Sequence, residues 1–284
     1  MILNASGCLD ALTAPAVARE LDAYVAKTVT PEPRAGNPQP RLAESDFGLL
    51  NSIGLQNPGV ERFCSDVLPR LEGLGIPLWI SVGGSEAAEY AMVCERIGER
   101  ESVQALELNL SCPNVDPAAE EAAEIVAAAR AATKAPIYAK LSPLLPDMAG
   151  VAQAVIEAGA SGLSLVNSLR GLELDDWTLE PLLGRAVGGY SGAALRPVAL
   201  AAVFLCYEAT AGKVPIVGMG GVESGKHALD LIAAGASAVA LGSVLFRDPE
   251  APSRVRAELA KELTARGFER PEEARGAAHR PKSG

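Results

Sequence analysis

Short apolar segments alternate with alanine-rich helical segments along most of the chain, and this alternation constrains the fold more than any other feature. Helical segments often end at glycine, as Val151–Ala158 does at Gly159 and His227–Ala234 does at Gly235. No G-x-G-x-x-G motif follows the first strand, which disfavours a doubly wound sheet. Repeated βα units therefore predict an α/β fold of the (β/α)8 TIM-barrel type. Eight segments are predicted as buried strands: Ile2–Ala5, Ala23–Ala26, Pro77–Ser81, Ala105–Asn109, Ile137–Leu141, Gly162–Val166, Pro215–Gly218 and Ala238–Leu241.

The bulk composition limits the class of protein and its partners. With 284 residues, 49% of them hydrophobic, the chain can bury a large core. We expect one domain over residues 1–284, with a polar tail from about Arg266. A net charge of -10 argues against nucleic acid or an anionic membrane as the main partner. Five cysteines without a C-x-x-C pair predict no metal site and a reducing compartment, and no targeting or membrane-length segment is evident, so we expect a cytoplasmic protein.

Two connections between predicted strands are too long for simple turns, Thr28–Pro58 and Asn167–Gly192. Long ordered loops in a compact domain usually serve a site. We therefore expect both connections to contribute to one.

Polar residues collect where the predicted strands end, which is where barrels place their chemistry. Any one of them has an ordinary explanation, since a lysine after a strand is usually solvated and a glycine there is usually a turn. Two lysines, three asparagines and a thiol on one rim are harder to explain in that way. The residues at these ends are Asn4, Ala5, Ser6, Lys27, Thr28, Asn109, Cys112, Lys140, Asn167, Ser168, Gly220, Gly221, Gly242 and Ser243.

Cys112 lies in a proline-containing turn after the fourth predicted strand, between Asn109 and Asn114. Side-chain amides can hydrogen-bond the edge of a planar polar ligand. Neither His227 nor His279 lies near Cys112 at a strand end, so a Cys–His nucleophile pair is disfavoured. We interpret Cys112 as a base. Because a free thiol has a pKa of about 8.5, a thiol base should work better as pH rises.

The glycine turns after the last two predicted strands are typical of phosphate sites. Gly220-Gly221 and Gly242-Ser243 can offer backbone N–H groups, and Ser191-Gly192 precedes another helix. Turns of this kind also occur for packing alone. A phosphate site beside a planar amide-lined site suggests a mononucleotide cofactor. If this is a flavin, Lys140 is the candidate cation beside its pyrimidine end, where it stabilises the reduced anion.

Taken together, these residues resemble the dihydroorotate dehydrogenases, specifically their soluble cysteine-type class. The resemblance runs from Asn4 to about Pro249. It is carried by long blocks in the family's order: Lys27-Thr-Val-Thr-Pro-Glu-Pro-Arg34-Ala-Gly36-Asn37-Pro38-Gln-Pro40-Arg41, Asn51-Ser-Ile-Gly54-Leu55-Gln-Asn57-Pro58-Gly59, Asn109-Leu-Ser-Cys112-Pro-Asn114-Val, and Pro215-Ile-Val-Gly-Met-Gly-Gly-Val.

The resemblance implies oxidation of dihydroorotate to orotate in pyrimidine biosynthesis. Cys112 would remove the C5 proton while hydride leaves C6 for FMN, and Lys27 and Lys140 would act with it. FMN would be held by Ala5, Ser6, Lys27, Thr28, Asn109, Lys140, Asn167, Ser191, Gly192, Gly220, Gly221, Gly242 and Ser243. The substrate would be held by Lys27, Asn51, Gly54, Leu55, Asn109, Asn114, Asn167 and Ser168.

The chain departs from relatives in a shorter stretch before Asn4 and a shorter lid after Val115. A catalytically silent barrel used for binding is therefore kept as an alternative. Dihydropyrimidine dehydrogenases and tRNA dihydrouridine synthases share a similar Asn-x-x-Cys-Pro core. However, Asn114 matches the orotate enzymes, and the acidic charge balance disfavours tRNA.

Two sequence blocks are closer to the NAD-linked, two-subunit class than to the fumarate-using homodimers: Thr30-Pro-Glu-Pro-Arg-Ala-Gly-Asn-Pro38 and Gly54-Leu-Gln-Asn-Pro-Gly59. The fumarate-using class remains an alternative. In the NAD-linked class a separate reductase subunit carries FAD and an iron–sulfur cluster and passes electrons to NAD. The resemblance implies a homodimer of this chain bearing two such partners, with an exposed apolar patch near the flavin's edge for docking.

Overall fold

A computed structural model describes residues 1–111 and 118–281. Eight parallel strands form the main sheet in the order β1-β12-β11-β8-β7-β6-β5-β2, which confirms the predicted (β/α)8 barrel. The strands of the described chain are β1 (Ile2–Asn4), β2 (Tyr24–Val29), β3 (Leu42–Ser45), β4 (Gly48–Asn51), β5 (Leu78–Val82), β6 (Val103–Asn109), β7 (Ile137–Leu141), β8 (Gly162–Leu165), β9 (Leu169–Gly171), β10 (Gly188–Gly192), β11 (Ile216–Met219) and β12 (Ala238–Leu241).

The helices pack around this barrel and lie largely where the periodicity predicted them. None of those described is long and apolar enough to cross a membrane. They are α1 (Pro15–Arg19), α2 (Val60–Arg62), α3 (Leu68–Glu72), α4 (Ala87–Gly98), α5 (Ala119–Ala132), α6 (Met148–Glu157), α7 (Arg196–Ala209), α8 (Gly225–Ala234), α9 (Ala251–Thr264) and α10 (Pro271–Ala274). The sequence Asp116-Pro117, which is typical of a helix start, lies outside the described residues, and α5 begins at Ala119.

The barrel closes between β1 and β2 through a short backbone contact that side chains reinforce. Backbone pairing at this seam is a single parallel bridge between Leu3 and Ala23. The fully buried amide of Asn4 accepts a hydrogen bond from the Val25 backbone N–H and donates one to the Val25 carbonyl, each 2.8 Å long. Asn4, predicted at the strand end as part of the site, therefore joins the two strands of the seam.

The half of the barrel interior towards the amino-terminal ends of the strands is filled by apolar side chains. The rings of Trp79 and Tyr138 lie 4.4 Å apart there. Gly162 provides the room, because a Cβ at that position would be 2.5 Å from the Tyr138 ring. With the amino-terminal half of the interior filled, an open site can lie only towards the carboxyl ends of the strands.

The two long connections are ordered by strands that the sequence did not predict. β3 and β4 lie in the first connection and β9 and β10 in the second, and together they form an antiparallel sheet in the order β3-β4-β10-β9. Long ordered loops were expected here, and the paired strands that they contain were not predicted. The small sheet nevertheless places residues of both connections beside the barrel's carboxyl end.

The polar segment after Arg266 packs on the barrel over its described part. Arg275 donates hydrogen bonds to the carbonyls of Gly235 and Val214, 2.9 and 2.7 Å long. The His279 ring stacks on Phe204 with their centroids 3.9 Å apart. This segment therefore covers the carboxyl-terminal halves of α7 and α8.

Candidate functional site

A cavity of about 460 Å³ opens at the carboxyl ends of the barrel strands. Its described lining contains all the residues of the resemblance that the structure describes: Ala5, Ser6, Lys27, Thr28, Asn51, Gly54, Leu55, Asn109, Lys140, Asn167, Ser168, Ser191, Gly192, Gly220, Gly221, Gly242 and Ser243. Cys112 and Asn114 lie outside the described residues. The structure thus brings together positions that are far apart in sequence.

Lys27 and Thr28 were expected to follow the second strand, but both lie within β2. The pairing of β2 with β5 shifts register between Ala26 and Val29, so both residues lie in a bulge. Bulges re-aim side chains next to active sites. Here the bulge allows both side chains to reach the cavity.

A chain of hydrogen bonds crosses the cavity wall from strand to strand. Asn167 donates to Asn109 over 3.1 Å and also to the Ser111 hydroxyl. Asn109 donates to the Thr28 hydroxyl over 3.4 Å, and that hydroxyl lies 2.9 Å from the Ser81 hydroxyl. Each amide has further hydrogen-bonding positions for a ligand. The wall is therefore a fixed surface of alternating donors and acceptors.

The charge of the cavity is opposite to that of the whole chain. Its described lining includes five cationic residues and no carboxylate, although the chain carries a net charge of -10. The cations are Lys27, Arg34, Lys140, Arg170 and Arg185. Cavities lined by one sign of charge concentrate ligands of the other sign. The cavity therefore suits an anionic ligand.

The two lysines of the cavity differ in their surroundings. Burial lowers the pKa of Lys27, an effect that nearby Cys8 opposes and Arg41 reinforces. Lys140 instead forms an ion pair with Glu107, its Nζ 3.3 Å from Oε1. Both side chains of this pair are almost completely buried. The Cys8 thiol lies near all three charged groups, and burial raises its pKa.

The glycine turns pack tightly against the start of α7. Gly221 has a φ of +67°, and a Cβ there would be 2.8 Å from the Cβ of Arg196 and 2.9 Å from the Gly192 carbonyl oxygen. Gly192 itself has a φ of +128°. Only glycine combines this backbone with so close an approach. Gly192 and Gly221 therefore line the cavity next to the first residue of α7, Arg196.

The small antiparallel sheet covers the other side of the cavity. Asn51, at the end of β4, donates a hydrogen bond of 3.1 Å to the Gly189 carbonyl of β10. Gly54 and Leu55 have φ values of 72° and 54°. Leucine rarely takes this conformation, which is typical of functional turns.

Sequence reasoning missed several residues at this site. Arg170 and Arg185 lie in the second long connection and had no motif to indicate them. Glu107 was not singled out either, although a signal was present: it is a carboxylate between Leu106 and Leu108 in a strand predicted to be buried, and such residues are almost never fully buried unless paired.

Barrel geometry, an amide-lined wall and a cationic cavity define an enzyme-type (β/α)8 barrel whose cavity suits an anionic ligand. Residues 1–263 match the family model described as dihydroorotate dehydrogenase. The chain therefore belongs to the dihydroorotate dehydrogenase family, whose members are flavin-dependent.

Individual relatives agree with this assignment. The chain is 43% identical to the dihydroorotate dehydrogenase B (NAD(+)) catalytic subunit of Listeria monocytogenes, over 88% of this chain and 84% of that one. It is 44% identical to the subunit of the same name from Desulforudis audaxviator, over 92% and 86%. Among solved structures, the dihydroorotate dehydrogenase of Eimeria tenella in complex with ferulenol superposes with a TM-score of 0.83 at 25% identity, over 99% of this chain and 85% of that one.

Proposed function

We propose that this chain oxidises dihydroorotate to orotate in pyrimidine biosynthesis, as the catalytic subunit of an NAD-linked enzyme that uses FMN. The observation that carries the proposal is the cationic, amide-lined cavity in an otherwise acidic chain. A substrate with a carboxylate and an imide edge matches these two properties. The names of the relatives support the same reaction and a second subunit.

The residues present fit FMN. The glycines of positive φ that line the cavity beside the α7 amino terminus would offer backbone N–H groups to a phosphate. FMN would be held by Ala5, Ser6, Lys27, Thr28, Asn109, Lys140, Asn167, Ser191, Gly192, Gly220, Gly221, Gly242 and Ser243. A bound flavin supplies the acceptor for the substrate's hydride.

The substrate would lie between the barrel wall and the small sheet. Lys27 would bind its carboxylate, since a partly buried ammonium without a carboxylate partner among the described residues favours an anion. The side-chain amides of the cavity wall would hydrogen-bond the edge of the substrate ring and fix its orientation. The substrate residues are then Lys27, Asn51, Gly54, Leu55, Asn109, Asn114, Asn167 and Ser168.

Cys112 would take the proton from C5 of the substrate. This role depends on the sequence and the family, because the residue lies outside the described range. A cysteine base needs a group to orient the substrate towards it, and the hydrogen-bonded Asn109 and Asn167 pair offers such a surface in the cavity wall.

An exposed apolar rim borders the cavity and would dock the partner subunit. Leu42, Leu144, Val187 and Phe246 all line the cavity, yet they are 50%, 39%, 50% and 57% exposed. Apolar side chains exposed together usually mark an interaction site. We propose that a reductase subunit carrying FAD and an iron–sulfur cluster docks here, on a homodimeric core of this chain.

Steady-state turnover of the FMN-loaded chain with different acceptors tests the proposal. We expect dihydroorotate oxidation with a small dye acceptor, and negligible NAD reduction until a reductase subunit is added. Rapid NAD reduction by the isolated chain would remove the need for a partner. Rapid fumarate reduction would place the chain among the fumarate-linked enzymes.

A further inference from the structure

Glu107 is a buried carboxylate for which the proposed reaction has no direct use. It lies two residues before Asn109 on β6 and does not line the cavity. Its side chain is 2% exposed and that of Lys140 is 7% exposed, and Oε1 and Nζ lie 3.3 Å apart. The pair therefore forms a charged layer directly beneath the cavity floor.

The neighbours of this pair are mostly uncharged. In the strand register Glu107 is next to Ser81 on one side and Tyr138 on the other, and Lys140 is next to Ser164. Tyr138 and the Cys8 thiol are the titratable groups next to the pair, and Lys27 interacts with the same thiol. Among the described residues, Glu107 is thus the carboxylate that pairs with Lys140 at the floor.

A buried ion pair costs desolvation and adds little stability by itself. A carboxylate held here needs another explanation, and its contact with Lys140 offers one. The carboxylate restricts where the ammonium can lie, and it cancels part of the positive field that Lys140 projects into the cavity. Both effects act on any group that gains negative charge above Lys140.

We propose that Glu107 is a positioning residue that sets the reduction potential of the bound flavin through Lys140. This inference depends on the proposed function, because it requires FMN to lie over Lys140. Reduction adds negative charge to the flavin, and Lys140 stabilises that charge. Glu107 weakens this stabilisation and so keeps the potential low enough for electrons to leave again.

The experiment measures the reduction potential of FMN bound to Glu107→Gln, by equilibration with a reference dye. Glutamine keeps an oxygen for Lys140 but removes the negative charge. We expect the reduced form to gain at least tenfold over the oxidised form, a positive shift of about 30 mV for a two-electron couple. Glu107→Asp, which retains the charge but withdraws it by one methylene, should shift the potential in the same direction by less.

Ser164→Ala is the matched control. Ser164 is fully buried beside Lys140, and its hydroxyl has no hydrogen-bond partner among the described residues. The substitution disturbs the same layer without changing its charge, so the potential should match that of the wild type. A purely structural role of Glu107 would lower the melting temperature of its variants and leave their potentials unchanged.

Each outcome decides the question. If Glu107→Gln does not fold, Glu107→Asp gives the measurement. A potential equal to that of Ser164→Ala, or shifted negatively, in the variant that folds and binds FMN would overturn this role while leaving the proposed function intact. A wild-type protein that binds no FMN would refute the proposed function and this role with it.

Discussion

At the scale of single residues, Lys27 and Lys140 show how one residue type acquires two different energetic roles. Lys27 lies partly buried without a carboxylate partner among the described residues, whereas Lys140 is paired with Glu107. Replacing Lys27 by an apolar residue removes the free-energy cost of burying its charged ammonium group. Removing Lys140 leaves a carboxylate without its counter-charge.

We predict that Lys27→Met makes the apoprotein slightly more stable near neutral pH, raising its melting temperature by on the order of 2 °C. Because burial lowers the pKa of Lys27, the folded protein binds this proton less readily than the unfolded chain. The free-energy cost of burying charged Lys27 is complete at pH values below its folded-state pKa. It disappears as the pH rises towards the ordinary lysine pKa of 10.5. The gain should therefore shrink in alkaline melts.

Lys140→Met is the matched comparison. It should lower the free energy of unfolding by about 3–5 kcal/mol, because it leaves Glu107 buried and unpaired. Denaturant titration of both apoproteins measures the difference. Equal effects of the two substitutions would show that the Glu107 ion pair does not distinguish these lysines.

We predict that Cys112→Ser slows flavin reduction by dihydroorotate about a hundredfold or more at neutral pH. A serine hydroxyl is a far weaker base than a thiolate, yet it is close in size, so orotate binding should persist. Stopped-flow absorbance measures the rate. The wild-type rate should rise with pH as more thiolate forms. Cys8→Ser is the control and should have a much smaller effect, since burial raises the pKa of Cys8.

At the scale of elements, the seam between β1 and β2 depends on the Asn4 amide. We predict that Asn4→Ala lowers the free energy of unfolding by about 2–4 kcal/mol, because it leaves a buried N–H and a buried C=O of Val25 without partners. Ser237→Ala is the control. It removes similar bonds to the Ile216 backbone, but at an exposed residue where water can replace them. Equal losses would contradict this account of the seam.

The sequence predicted the barrel strands because a parallel strand buried on both faces is a continuous apolar run. It did not predict β3, β4, β9 and β10, which are short and partly exposed. β10 has the sequence Gly-Gly-Tyr-Ser-Gly, which carries no strand pattern of its own. Its pairing with β4 comes from tertiary contacts between segments more than a hundred residues apart, and local propensity cannot indicate these.

Residues of the candidate site could be predicted from the sequence where they follow a predicted strand or lie in a long motif. Lys140 and Asn167 are examples. The bulge that aims Lys27 into the cavity was not predictable, because it depends on register with β5. Nor was the convergence of Arg34, Arg170 and Arg185, which depends on how the two long connections fold together.

At the scale of the whole molecule, the apolar rim of the cavity should carry the subunit contact. We predict that Phe246→Ala weakens binding of the reductase subunit about tenfold, since an exposed aromatic at the rim has the character of an interface anchor. Met92→Ala, a comparably exposed apolar side chain on the outer helix α4, should leave binding unchanged. Titration calorimetry with FMN-loaded variants provides the comparison.

The central claim is that one cavity of this chain holds FMN and dihydroorotate together. The most direct measurement is anaerobic addition of dihydroorotate to the FMN-loaded protein, with the flavin absorbance and the product followed together. We expect the oxidised flavin band to bleach and orotate to form in equal amount. A flavin band that persists with excess dihydroorotate, in a folded protein that has taken up FMN, would contradict the account.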